Sequence, residues 1–192
     1  NKNINYTICR TNRVWLRDSF PIFVKNKLNQ KVLIDWGFNS WAKYKNFNHD
    51  NKIGIKIKKF LNLDSIRPKF KNRRIILEGG SIDVNGKGVL LTTRECLQSK
   101  IQERNIGFKR KDYEEIFKKF LGVKKVLWLN KGIVGDDTHG HIDDIARFVT
   151  RKKIFIAYEK NKNDANYKKL RENYQIIQKL NKKKEFKIIK IP

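Results

Sequence analysis

A run of two short apolar strands, an amphipathic helix and a further strand recurs three times along this sequence, at a period of roughly 50 to 60 residues, the range of a repeated supersecondary unit. Paired strands are predicted at Phe20 to Val24 with Val32 to Trp36, at Ser81 to Val84 with Val89 to Thr93, and at Ile145 to Val149 with Ile154 to Tyr158. The connections read as hairpin turns, and Asn85-Gly86 is the strongest of them because both residues tolerate positive φ. Helices follow. Ile53, Ile57, Phe60 and Leu61 fall on one face after Asp50, and Tyr113, Ile116, Phe117 and Phe120 on one face after Asp112, with Gly122 as the stop. Asp112 and Glu115 look like a capping-box start. A third stripe of Tyr167, Leu170, Tyr174, Ile177 and Leu180 begins near Asp164. Each helix leads into a closing strand, around Ile66 to Phe70, Lys125 to Leu129 and Phe186 to Ile191. The fold class is therefore α/β, built of repeated ββαβ units.

With 192 residues the chain is read as one domain spanning 1–192. Hydrophobic residues make up 39% of it, enough to offset the entropy of folding and to exclude disorder. No apolar run approaches the roughly 20 residues of a membrane span, so no membrane partner is expected. The formal charge of +26 invites nucleic acid as a partner. The lysines are nevertheless dispersed over loops and helix faces, as in Lys25 to Lys31 and Lys160 to Lys169, rather than gathered into one arm, so nucleic acid is not the expected partner. Cys9 and Cys96 build no disulfide framework, and with no secretory segment the expected location is the cytoplasm. The chain has no Met, which points to a missing start.

Polar clusters open the first strand of each unit: Arg17-Asp18, Glu78-Gly79-Gly80 and His139 to Asp144. If the units surround an axis, these clusters meet. Carboxylates close together raise one another's pKa unless a cation sits between them. A guanidinium offers planar N–H forks that two carboxylates can grip from different edges. Asp18 and Asp143 are the candidates for that grip, His141 for the proton carrier and Glu78 for the group orienting it.

Three blocks make this specific. Trp15-Leu16-Arg17-Asp18, then Glu78 to Val84 with Leu91-Thr92-Thr93-Arg94-Glu95-Cys96-Leu97, then Gly135-Asp136-Asp137-Thr138-His139-Gly140-His141-Ile142-Asp143-Asp144 resemble, in order, the signature blocks of the agmatine deiminase and bacterial peptidylarginine deiminase family. The resemblance extends over nearly the whole chain. It implies a pentein fold of five ββαβ units, of which three are visible here, and hydrolysis of a guanidino group to a ureido group and ammonia with no cofactor and no metal. Agmatine, giving N-carbamoylputrescine in putrescine biosynthesis, is the leading substrate, with peptidylarginine or free arginine as alternatives. By the same resemblance Asp18, Glu78, His141 and Asp143 form the catalytic set, Asp18, Asp143 and Trp15 bind substrate, and the full-length protein is a homo-oligomer.

The family's nucleophile lies in a glycine-rich block ending in His-Cys, and nothing of that kind precedes Pro192. The expectation is a piece lacking both ends, with the nucleophile outside it, inactive and aggregation-prone in isolation. Cys96 reads as a packed thiol of low reactivity. Two rival readings compete with this one. The Thr138-His139-Gly140-His141 run resembles the start of a metallo-β-lactamase zinc motif, but a histidine is wanted where Asp144 stands, and His49 is the only other histidine. A basic nucleic-acid-binding module would use the lysines and exposed aromatics such as Trp36 and Trp41, and would leave the acidic clusters unexplained.

Overall fold

The computed structural model describes residues 4–192, and its contacts divide them into two compact units, one ending at Gly79 and the other beginning at Gly80. In the first unit, a single helical turn α1 (Leu16–Ser19) precedes β1 (Ile22–Lys25), which pairs antiparallel with β2 (Lys31–Ile34). The Asn26 side chain closes the hairpin by accepting the N–H groups of Leu28 and Gln30, both at 2.9 Å. Helix α2 (Ile53–Leu61) crosses back to β3 (Ser65–Ile66), which runs parallel to β2. Ile53 and Ile57 bury themselves against Leu33 of β2, and this is the first unit's core. Phe60 and Leu61, expected on the same buried face, are instead 42% and 40% exposed. Asn62 ends the helix in the left-handed region, at φ 48°. The closing strand predicted at Ile66 to Phe70 is broken in two. Pro68 has no N–H to give to a ladder, and after it β4 (Lys69–Phe70) turns to pair with β5 (Arg73–Arg74).

The second unit contains two further ββαβ repeats. The first has β6 (Asp83–Val84) antiparallel to β7 (Val89–Thr93), and β8 (Lys125–Leu129) parallel to β7 in register from Val89–Lys125 to Thr93–Leu129. Asn85 turns this hairpin, its side chain accepting from Lys87 at 2.8 Å and Val89 at 3.1 Å, with Gly86 at φ 69°. Between β7 and β8 lie a short helix α3 (Arg94–Gln98) and the longer α4 (Arg110–Leu121). Asp112 does not cap α4 as expected. The helix starts three residues earlier, with Lys109 in the capping position, and the Asp112 carboxylate reaches back to the Lys109 N–H at 2.7 Å, the third-position half of the capping box. Gly122 ends the helix at φ 65°, as expected.

In the last repeat, β9 (Ala146–Thr150) pairs antiparallel with β10 (Lys153–Ala157), and α5 (Tyr167–Leu180) leads to β11 (Lys187–Ile191), parallel to β10. Asp164 sits before α5, its side chain accepting the Asn166 N–H at 2.7 Å. Leu91, Leu127, Leu129, Ile142, Ile145, Ile154, Ile156 and Ile177 are shared in one core beneath both repeats. Asp83 fastens the two sheets together: its carboxylate accepts the Phe148 N–H at 2.6 Å and Arg147 Nε at 3.1 Å. All three repeats thus have the same order, a hairpin followed by a parallel crossover through a helix. Among the described residues no helix is long and apolar enough to cross a membrane.

Candidate active site

In the first unit, Asp18 was expected to open a strand. It sits instead in α1, before β1, buried with 6% of its surface exposed. The indole N–H of Trp41 donates to Asp18 Oδ2 at 3.1 Å. Trp41 is itself fixed by edge contacts to Phe38 and Tyr44, with ring centroids at 5.5 and 6.1 Å. Arg13 covers the outer side of this cluster, its guanidinium 4.8 Å from the Tyr44 ring, and is tied to Asn46 at 2.5 and 2.7 Å. Trp36 and Trp41, read from the sequence as exposed aromatics for a nucleic-acid surface, are both buried. Their large apolar faces belong to packing, and no base can stack on them. Trp15 is 60% exposed and leads into α1.

Glu78 is completely buried. The chain beside it approaches α1 so closely that a Cβ at Gly79 would stand 2.2 Å from the Arg17 carbonyl oxygen, so only glycine fits. The Trp15–Asp18 and Glu78–Gly79 segments therefore touch through their backbones. Gly79–Ser81 form a 3₁₀ turn rather than the start of a strand, which shortens the predicted Ser81 to Val84 strand to β6.

In the second unit His141 is buried and its Nδ1 lies 3.9 Å from Asp143 Oδ1. The N–H of Asp143 in turn donates to the Gly80 carbonyl at 3.3 Å. Asp136 folds the approach to this pair. Its Oδ2 accepts the N–H of Gly140 at 2.6 Å and of His141 at 3.3 Å, and its Oδ1 accepts the N–H and hydroxyl of Thr138 at 2.7 and 2.5 Å. Burial alone would raise the Asp136 pKa, but the hydrogen bonds from Thr138 and Gly140, aided by His141, hold it below the ordinary carboxylate value. His139 points its Nε2 at Ser99 Oγ, 3.1 Å away, and burial lowers its pKa more than the Glu95 and Asp136 carboxylates raise it.

Behind the turn, Thr93 caps α3 by accepting the Cys96 N–H at 3.0 Å while its hydroxyl donates to the Gly140 carbonyl at 2.5 Å. Cys96 is buried, as expected of a packed thiol, and its Sγ lies within 4.8 Å of a ring nitrogen of His141. Asn173, buried on α5, accepts the Asn130 N–H at 2.8 Å and donates to the Lys131 carbonyl at 2.7 Å, steering the chain out of β8. Glu95 accepts the next free N–H, that of Gly132, at 2.5 Å. The sequence reading passed over Trp41, Asp136 and Asn173 as site supports. Asp136 had a signal, since an Asp two residues before a Thr is a side-chain-capped turn.

Known proteins resemble this chain in both sequence and fold. The profile of the Porphyromonas-type peptidyl-arginine deiminase family matches residues 2–192. An agmatine deiminase of Pseudomonas fluorescens is 30% identical over 197 residues, covering 99% of this chain and 52% of its own. The solved agmatine deiminase of Enterococcus faecalis superposes with a TM-score of 0.86 at 33% identity, over 95% of this chain and 50% of that one. A C. jejuni agmatine deiminase with substrate bound superposes at 0.85 and 31% identity, over 100% and 54%. The fold is the mixed α/β pentein type of these proteins, and the chain spans about half the length of the curated relatives it matches.

Proposed function

This chain belongs to the Porphyromonas-type peptidyl-arginine deiminase family, and from that premise we propose that the protein hydrolyses the guanidino group of agmatine to give N-carbamoylputrescine and ammonia. The observation that carries the reading is the buried imidazole of His141 with the Asp143 carboxylate 3.9 Å from its Nδ1. An imidazole carries both a proton donor and an acceptor nitrogen, which suits it to giving a proton to a departing amine and taking one from water.

In this scheme, carried over from the family, Asp18 and Asp143 are the guanidinium-binding acids, Trp15 a substrate-binding residue, Glu78 a further catalytic carboxylate and His141 the proton carrier. A thiolate attacks the guanidinium carbon, and the C–N bond to the departing nitrogen breaks as His141 protonates it. Ammonia leaves and a thiouronium remains on sulfur. Water, deprotonated by His141, attacks that carbon, and the C–S bond breaks to release the ureido product and the thiolate. Every atom is accounted for without a metal or organic cofactor.

The nucleophile in this reading is a cysteine outside residues 1–192. A second reading has one observation behind it: Cys96 Sγ lies within 4.8 Å of a His141 ring nitrogen. Cys96 is, however, buried, with its N–H committed to the Thr93 cap. The test is turnover of agmatine by the whole protein, read as ammonia and N-carbamoylputrescine. Cys96→Ala is expected to keep activity within a few-fold and His141→Gln to abolish it. Lack of turnover of agmatine, peptidylarginine and arginine alike would overturn the proposal, and loss of all activity in Cys96→Ala would transfer the nucleophile's role to Cys96. We place the protein in the cytoplasm, in keeping with its two free cysteines.

A further inference from the structure

The geometry points to Asp136 as the positioning residue of this site: one carboxylate that closes the turn from Thr138 to His141 and thereby holds the imidazole beside Asp143. The inference rests on the reading of His141 as the proton carrier.

The turn resists forming by itself. His139 at φ 62° and Gly140 at φ 94° are consecutive residues in the left-handed half of backbone space, and for His139 that conformation is unfavourable without local compensation. Asp136 supplies the compensation from inside the bend. Four donors converge on its two oxygens, two from Thr138, one from Gly140 and one from His141. The contact to His141 is to its backbone N–H, so it fixes where the ring starts rather than touching the reacting atoms.

The outer side of the bend is already full. A Cβ at Gly140 would lie 3.0 Å from Glu95 Cβ and 3.2 Å from the Cys96 nitrogen, and one at Gly132 would lie 2.5 Å from Gly140 Cα. The Gly140 carbonyl is taken by the Thr93 hydroxyl at 2.5 Å. The turn is thus clamped between a packed wall and an anionic centre, and loosening the centre frees the end that carries His141. Charge matters as well as shape. The hydrogen bonds keep Asp136 ionised despite its burial. An asparagine there would keep one acceptor oxygen while turning an amide N–H₂ toward groups that are themselves donors.

The experiment compares wild type, Asp136→Asn and Asp136→Ala in the whole protein by hydrogen exchange with mass spectrometry, alongside steady-state kinetics on agmatine. In Asp136→Asn, peptides covering 136–142 are expected to exchange about tenfold faster or more, while peptides covering β7 and β8 keep their wild-type rates. kcat falls at least about tenfold with a displaced pH profile, and Asp136→Ala falls further. Unchanged exchange in 136–142 would overturn the inference. So would faster exchange spread equally through β7 and β8, because that marks a residue that only stabilises the unit. Turn-specific exchange in a protein that hydrolyses no guanidino compound would sink the proposed reaction and leave the anchor standing.

Discussion

At the residue scale, Asp18 shows what a buried carboxylate asks of its surroundings. The Asp18 carboxylate meets the Trp41 indole N–H at 3.1 Å, out of reach of most solvent. Phenylalanine in place of Trp41 would keep the edge contacts to Phe38 and Tyr44 largely intact and remove the donor. A hydrogen bond to a charged group contributes about 1.5–3 kcal/mol, so Trp41→Phe is expected to lower stability by about 2 kcal/mol in urea denaturation. A variant as stable as wild type would show that the indole serves Asp18 by shape alone. His139 gives a prediction in pH. Its folded pKa lies below the ordinary 6.5, chiefly because of burial, so below that pH the unfolded chain takes up a proton more readily than the fold does. This contribution is complete above 6.5 and is lost as pH falls through the folded pKa. His139→Gln should therefore flatten the stability-against-pH curve just below 6.5, measured as midpoint shifts against wild type. Asp136 acts in the same direction in a separate window, below 3.8. Identical curves for the two proteins down to pH values well under 6.5 would contradict the assignment.

At the scale of elements, α2 shows how a local rule is reversed by packing. Glycine inside a helix ordinarily costs about 1 kcal/mol relative to alanine, so Gly54→Ala would be a standard stabilising change. Here a Cβ at Gly54 would stand 2.1 Å from Asp35 Oδ1. Asp35 has no room to yield, because Arg67 Nε at 2.7 Å and Arg74 Nη2 at 3.2 Å hold its carboxylate. Overpacking costs about 1–3 kcal/mol, so the alanine variant is expected to be the less stable by a net amount of that order. A higher melting temperature for Gly54→Ala would refute this. The same contrast explains what could be read from the sequence. Strands and helices were legible because apolar spacing is periodic: the three hairpins and the three crossover helices appear within a few residues of their predicted places. Boundaries were missed where one side chain decides, as when Pro68 splits the first closing strand and Asp112 reaches back to Lys109. The candidate site residues stood out as motifs. Their supports did not, since the Trp41–Asp18 and Asn173–Asn130 bonds join positions 23 and 43 residues apart and leave no periodic trace.

At the scale of the whole molecule, two terms oppose each other. The formal charge of +26 makes copies of the chain repel, and the dispersal of the lysines spreads that repulsion over the surface. Against it stand large apolar side chains in water, among them Tyr6, Ile8, Val14, Leu28 and Ile106, each more than 70% exposed. Apolar contact is short-ranged and insensitive to moderate salt, whereas repulsion reaches about 30 Å at 0.01 M ionic strength and only about 3 Å at 1 M. The balance should therefore turn with salt. Residues 1–192 in isolation are expected to remain monomeric at low ionic strength and to associate as it rises, with the hydrodynamic radius from light scattering growing over that range. Repulsion decides the first regime and exposed apolar surface the second, so a radius independent of salt would mean that the exposed side chains are too scattered to form a contact. Adding Glu at Ile8 and Val14 separates the terms further. It lowers the net charge, which by repulsion alone would promote association, yet it removes apolar surface, and suppressed association at high salt is the outcome expected if apolar contact drives it.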